Sequence, residues 1–237
     1  MTRPSRRNNS IGRNTAGGYD RFAWTRTDHD LREWFAGQVD ALGLELTEDG
    51  NGNQIAWWGT GPDALLVGSH LDSVVGGGPL DGPLGVTSAL AAVARLKASG
   101  FAPARPIAVA NFTDEEGARF QPDMLGSLVY VGGMALEDAL DVRAADDGAR
   151  LGDELARIGY AGPTPCPAAS APHAYFELHI EQGPVLEDEG ITIGAVTGVQ
   201  GISWTELTIT GQSAHAGTTP MRLRRDPGYV AAAINTG

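Results

Sequence analysis

Cysteine is nearly missing from this chain of 237 residues; Cys166 is the only one. No internal disulfide can form, and a reducing cytoplasm is the expected compartment. Long apolar runs are missing too: none in the sequence approaches the ~18 residues of a membrane span, so no membrane partner is expected. Basic residues are scarce, with 17 Lys and Arg against 29 Asp and Glu and a formal net charge of −12. That argues against nucleic acid as a partner, because phosphate binding is driven by Lys and Arg. It suits small ligands, or cations held by carboxylates. No apolar segment follows the basic start "MTRPSRRNNS", so it does not read as a secretory signal. No Lys or P-loop pattern follows "GGG" at 76–78, which reads as a turn and not a phosphate cradle. The chain has no internal repeat.

What is present fits a soluble globular protein. Apolar residues make up 42% and charged residues 19%, both ordinary, and the length allows one large domain or two small ones. The 33 glycines imply many tight turns. Residues 1–20 are polar and Gly-rich and read as a loose arm. "TDHDLREWFAGQVDALG" predicts a helix: Leu31, Trp34, Phe35, Val39 and Leu42 recur at helical spacing, Thr27 or Asp28 can cap its start, and Gly43 can end it. "ALLVGS" (64–69) and "PIAVANF" (106–112) read as buried strands, with "GVTSALAAVARLKASG" (85–100) as the helix between them. Strand, helix, strand in about 50 residues indicates a parallel βαβ unit. A helix is expected near 149–158, a third strand at "AYFELHI" (174–180) and a fourth at "ITIGAVTGV" (191–199). "SWTELTITG" (203–211) alternates as a half-exposed antiparallel strand does, which places a domain boundary near 198–201. "RDPGYVAAAIN" starts a helix, with Asp226 as cap and Pro227 in its first turn.

Chemistry-bearing residues gather at strand ends. "GSHLDS" places His70 and Asp72 after the first predicted strand, "FTDEEGARF" places Glu115 and Glu116 after the second, and "ELHIEQG" places His179 at the end of the third. Asp81 lies in "PLDGPLG", on a Gly-rich loop before the next helix. Ligands of open α/β sheets bind at the carboxyl ends of the strands. Two His, one Asp and adjacent Glu there form a set of N and O donors suited to Zn²⁺, Mn²⁺ or Co²⁺. Asp72, two residues after His70, can accept from the ring nitrogen that a metal leaves free. Two neighbouring glutamates can divide the work, one ligating and the other taking the proton of an attacking water. Taken singly, each feature has a blander meaning: His179 as a strand residue, Glu115–Glu116 as a solvated turn, His215 as a surface loop residue, "RLRRD" as a solvated face. His29 and Cys166 read as functionless.

Four segments in order, "GSHLDSVVGGGPLDGPLG", "FTDEEGARF", "ELHIEQGPVLE" and "GQSAHAGTTPMRLRRD", resemble the signatures of the amidase and carbamoylase group of dinuclear metal-dependent hydrolases. That group contains N-carbamoyl-L-amino-acid hydrolases, allantoate amidohydrolases and β-ureidopropionases. The resemblance runs from about Gly17 to the end. It implies an α/β fold with a mixed, mainly parallel sheet flanked by helices (zinc-exopeptidase-like) over residues 21–200, then the truncated start of an α+β lid or dimerisation domain over 201–237. It implies His70, Asp81 and His179 as ligands of one metal, Asp81 bridging to a second, Glu116 as a ligand of the second, and Glu115 as general base. Gln182 and His215 resemble substrate contacts, His215 polarising the scissile carbonyl. A cis peptide after Asp81 is also implied, and Leu80 stands where an aromatic is common.

The implied activity is hydrolysis of a linear ureido or amide C–N bond in a small molecule, an N-carbamoyl-L-amino acid or allantoate, by a homodimeric enzyme with two divalent metals. None of His29, His70, His173, His179 and His215 matches the family's last ligand of the second metal. The chain is therefore expected to be the front part of such an enzyme, holding one metal and prone to aggregate. Two alternatives stay open: a catalytically silent piece, and an aminoacylase or peptidase on the same scaffold.

Overall fold

The computed structural model describes residues 10–203 and 205–235. They form two compact units, Met1–Gly183 and Pro184–Gly237; the sequence had suggested a boundary near 198–201. Helix α1 (Arg26–Ala41) buries Leu31, Trp34, Phe35 and Val39 along one stripe. It begins ahead of Thr27 and Asp28, the expected caps. Asp28 instead reaches back from the first turn, its Oδ2 accepting the Trp24 N–H at 3.0 Å. Gly43 ends the helix at φ +60, and the Leu44 N–H returns to the Val39 carbonyl, a Schellman closure.

Strands β1 (Glu45–Glu48), β2 (Gln54–Trp58), β3 (Leu65–His70), β4 (Ile107–Phe112) and β5 (Ala174–Phe176) make one sheet in the order β1-β2-β4-β3-β5. The β1–β2 and β2–β4 ladders are antiparallel, and β3 runs parallel to both β4 and β5. The expected βαβ unit is β3, α2 (Pro83–Ala98) and β4. Period-2 alternation splits the core. Ala56 and Val109 face the cluster made with Phe35 of α1 and Val86, Leu90 and Val93 of α2. Ile55, Leu66, Ala108 and Ala110 face the other side, where Tyr130 packs. Tyr130 ends α3 (Leu125–Tyr130), which with α4 (Leu136–Asp141) and α5 (Leu151–Ile158) builds a further cluster around Trp24, Phe120 and Leu155.

Several expectations change. The hairpin β1–β2 and the short helices α3 and α4 were not foreseen. The third strand pairs only over 174–176, and residues 177–180 leave the ladder. No strand forms over 191–199 or the described part of 203–211. Alternation marks which side chains share a face, but a strand also needs a ladder partner, and these segments have none among the described residues. Residues 10–20 are not loose. Tyr19 and Gly77 exchange both backbone hydrogen bonds, at 3.0 and 2.9 Å, and the Tyr19 ring is buried under the Arg21 guanidinium. Residues 1–9 of the expected arm lie outside the described residues. In the second unit, α6 (Val185–Asp188) is a single turn, and α7 (Pro227–Asn235) starts where Asp226 Oδ1 accepts the N–H groups of Gly228 and Tyr229 at 2.9 and 3.3 Å, as its capping role requires.

Candidate metal centre

Because β3, β4 and β5 are parallel, their carboxyl ends deliver three loops to one sheet edge. His70 closes β3 directly opposite Phe112, which closes β4, so the acidic loop after Phe112 starts beside His70. The ring of His70 is buried. Its Nδ1 lies 3.2 Å from the Asp72 carbonyl and 3.4 Å from Asp72 Oδ1, and its Nε2 lies 3.5 Å from Glu115 Oε2. His179, on the segment after β5, has Nδ1 2.9 Å from the Ile180 carbonyl and Nε2 3.2 Å from Asp81 Oδ1. Each ring thus gives Nδ1–H to an acceptor and turns Nε2 toward carboxylates, which is how a ligating histidine is held. Gln182 Nε2 donates to Asp81 Oδ2 at 2.8 Å. Asp72 also accepts the Glu116 N–H, Oδ2 at 3.0 Å, so one carboxylate ties the loop after β3 to the loop after β4.

The donor atoms of His70, Asp81 and His179 lie within 4.8 Å of one another, as do those of His70, Glu115 and Glu116. Glu116, expected alongside Asp81, thus groups with His70 and Glu115. Asp81, Glu115, Glu116, His179 and Gln182 line a cavity of about 170 Å³. Glu116 Oε1 is buried with no hydrogen-bond partner, an arrangement costly for a carboxylate unless a cation faces it. Two imidazoles and three carboxylates with that orphaned oxygen fit a divalent metal of the zinc or manganese type.

The electrostatics suit a cation. Burial works against a charged His70, but the hydrogen bond and charge of Asp72 and the charges of Glu115 and Glu116 outweigh it and raise its pKa to about 9. Burial raises Glu115, with Asp72 and Glu116 adding and His70 opposing. Burial raises Glu116 likewise, with Asp81 and Asp72 adding and His70 opposing. A carboxyl lifted this way is a better proton acceptor near neutral pH. Asp114 differs from its two neighbours. It is buried, its Oδ2 lacks a partner, and burial, then Asp72 and Asp28, push it well above the usual carboxylate range.

Backbone geometry aims these groups. Gly82 takes φ +79, and a Cβ there would meet the His70 ring; only glycine lets the Asp81 loop cross that imidazole. Asp81–Gly82 is not cis: among the described residues the cis bonds are Gln121–Pro122 and Cys166–Pro167. The positive φ of Gly82 makes the turn instead. Three non-glycine residues at the site have left-handed backbones, Asp114 (φ 48), Met124 (φ 56) and Gln182 (φ 55). Such strain, of order 1–3 kcal/mol each, persists where surroundings over-determine it and gathers at functional sites.

Those surroundings contain residues that sequence reasoning missed. Asn53, at the start of the β2 side of the hairpin, accepts the Thr113 N–H with Oδ1 at 3.1 Å. Its Nδ2 donates to the Gly126 carbonyl at 3.0 Å and to Asp49 Oδ2 at 2.8 Å. Arg32 Nη2 donates to Thr113 Oγ1 at 2.7 Å. The N–H groups of Met124, Leu125 and Gly126 bond the carbonyls of Glu115, Asp114 and Thr113 at 2.6, 3.2 and 3.0 Å. The acidic loop is therefore clamped on both sides. The one sequence trace is the turn "EDGNGNQ", whose Asp49, Asn51, Asn53 and Gln54 are buried and not solvated.

His215 belongs to the second unit, in the turn that follows "GQSA". That unit has a larger cavity, about 600 Å³, lined by Arg222, Arg225 and Tyr229 among others. It contains no histidine and one carboxylate, Asp226, so the candidate metal ligands are those of the smaller cavity.

Comparison with known proteins gives a consistent picture. The model of peptidase family M20/M25/M40 matches residues 66–236. An N-carbamoyl-L-amino-acid amidohydrolase from Rhizobium meliloti is 46% identical over 227 residues, 94% of this chain and 54% of the relative. An allantoate deiminase from Arabidopsis thaliana is 39% identical over 180 residues, 69% of this chain and 32% of the relative. The crystal structure of a hydantoinase/carbamoylase family amidase from Burkholderia ambifaria superposes with a TM-score of 0.80 at 39% identity, covering 97% of this chain and 56% of the other. The chain spans about half the length of the first of these relatives.

Proposed function

The chain belongs to peptidase family M20/M25/M40, and on that premise we propose that its first unit is the metal-binding half of a hydrolase that cleaves linear ureido or amide C–N bonds. The substrates fitting this reading are N-carbamoyl-L-amino acids or allantoate, as the names of the relatives suggest. The observation that carries it is the convergence of Asp81, Glu115, Glu116 and His179 on one cavity, with the buried His70 grouped with all four. His70, Asp81 and His179 would hold one divalent ion, and Glu116, which groups with His70 and Glu115 and whose Oε1 has no hydrogen-bond partner, would offer a ligand to a second. Divalent ions at such a site acidify water and polarise a carbonyl. Glu115, raised by burial and facing His70 Nε2, takes the proton of the attacking water. As the C–N bond breaks, the same carboxyl returns that proton to the leaving nitrogen. Asp72 keeps His70 oriented, and Gln182 holds Asp81. The resemblance gives His215, in the second unit, the role of a hydrogen-bond donor to a carbonyl oxygen.

The test is to titrate the purified chain with Zn²⁺, Mn²⁺ and Co²⁺ and to assay ammonia or amine release from N-carbamoyl-L-amino acids, allantoate and N-acetyl amino acids. Metal binding that disappears in His70→Ala, with turnover of a ureido substrate that disappears in Glu115→Gln, supports the reading. Metal binding with turnover of the N-acetyl substrates alone moves the assignment to an aminoacylase. Failure to bind any of the three ions refutes it.

A further inference from the structure

His215 sits in a tight turn whose hydrogen bonds act on the ring itself. Its Nδ1 accepts the N–H of Gly217 at 3.0 Å and that of Thr218 at 3.2 Å. A ring nitrogen that accepts hydrogen bonds carries a lone pair and no proton. The neutral ring therefore bears its proton on Nε2, and Nε2–H is a donor pointing away from the turn. The turn is closed by the Thr219 N–H on the His215 carbonyl at 3.3 Å.

Arg224 holds this turn from the other side. Its Nη2 donates to the Ala216 carbonyl at 2.6 Å and its Nε to the Thr219 carbonyl at 2.9 Å. These carbonyls flank the two amides that bind His215, so one planar guanidinium spans the turn. A backbone pairing beneath it, the Gln212 N–H on the Arg225 carbonyl at 2.9 Å, brings the two ends of the segment together. Lysine, a point donor on a flexible stem, cannot bridge two carbonyls in the plane of a fork.

We propose that Arg224 is a positioning residue that, through the carbonyls of Ala216 and Thr219, holds the 215–219 turn and thereby locks His215 as the Nε2–H tautomer. The role of the donor rests on the proposed function: an Nε2–H stabilises negative charge developing on a carbonyl oxygen, whereas the opposite tautomer would present a lone pair to it. The lock itself stands on the turn alone.

The experiment is heteronuclear NMR on the full chain, ¹⁵N-labelled, at a pH above the ordinary histidine range. In the wild type, His215 Nδ1 should show the shift of an unprotonated ring nitrogen and Nε2 that of a protonated one. Coupling should be seen across the hydrogen bonds from Gly217 and Thr218 to Nδ1. In Arg224→Met, which keeps the alkyl stem and removes both donors, amide exchange at Gly217 and Thr218 should quicken by about tenfold or more, the effect of losing one ordinary hydrogen bond. Arg224→Lys should fall between the two. The amides of α7 should be unchanged, which separates this role from general unfolding. A wild-type His215 protonated on Nδ1 overturns the proposal even if the variants do not fold, and so does an Arg224→Met turn with wild-type exchange. Absence of ureido hydrolysis would count against the proposed function and leave the tautomer result standing.

Discussion

Replacing Asn53 by alanine tests how the acidic loop is held. The side chain is fully buried and makes three hydrogen bonds: from the Thr113 N–H, and to the Gly126 carbonyl and the Asp49 carboxylate. The two neutral bonds contribute about 1 kcal/mol each and the charge-assisted one about 2 kcal/mol. Truncation leaves a buried N–H, a carbonyl and part of a carboxylate without partners. The expected loss is about 4 kcal/mol, near the top of what single substitutions cost. For a unit of this size that lowers the melting temperature by about 10 °C. Calorimetry and urea unfolding followed by the fluorescence of buried Trp24 and Trp34 measure it. Asn53→Asp keeps the acceptor for Thr113 but loses both donors and sets a second carboxylate against Asp49, so at neutral pH it should cost at least as much. Zn²⁺ affinity should weaken in both variants, because Thr113 starts the loop that carries Glu115 and Glu116. An Asn53→Ala protein within about 1 kcal/mol of wild type would falsify the clamp.

Gly82→Ala places a methyl group against the His70 ring at a positive φ; metal affinity by competition titration should fall about 10–100-fold, as when the supports of ligands are disturbed, and an unchanged affinity would contradict the packing. Glu115→Gln should keep metal binding and lose most turnover, whereas Glu116→Gln should weaken metal binding; equal metal loss in both would show that the two glutamates do not divide the work. The hydrogen bond from Arg157, outweighing burial and joined by Arg119, lowers the pKa of Glu154 to about 2. A depressed carboxyl stabilises the fold above its unfolded pKa of about 4.3 and loses that contribution as pH falls toward 2. Urea midpoints of wild type should therefore drop more steeply between about pH 5 and 2 than those of Glu154→Gln, and parallel curves would refute the assignment. Chelator treatment of the metal-loaded protein should lower its melting temperature, with no such shift in His70→Ala.

Much of the fold and site was legible in the sequence because it rests on short-range pattern. The stripe Leu31, Trp34, Phe35, Val39 has the helical period of α1. The apolar runs at 64–69 and 106–112 read as buried strands, and the helix between them makes those strands parallel. Parallel strands put their carboxyl ends at one edge, so "GSHLDS" and "FTDEEG" had to meet there. Tertiary structure decided the rest, because the deciding contacts join residues far apart in the chain. Asn53 reaches partners 60 and 73 positions away, and nothing local distinguishes its turn from a solvated one. The ladder partner that makes β5 a strand, and that 191–199 lacks among the described residues, is a property of neighbours in space. The left-handed backbone at Asp114 turns one acid of "DEE" inward, while Glu115 and Glu116 border the cavity. Adjacent side chains differ in fate there because the loop's hydrogen bonds to Asp72 and Asn53, and those it accepts from the start of α3, fix its path, and no spacing rule contains that path.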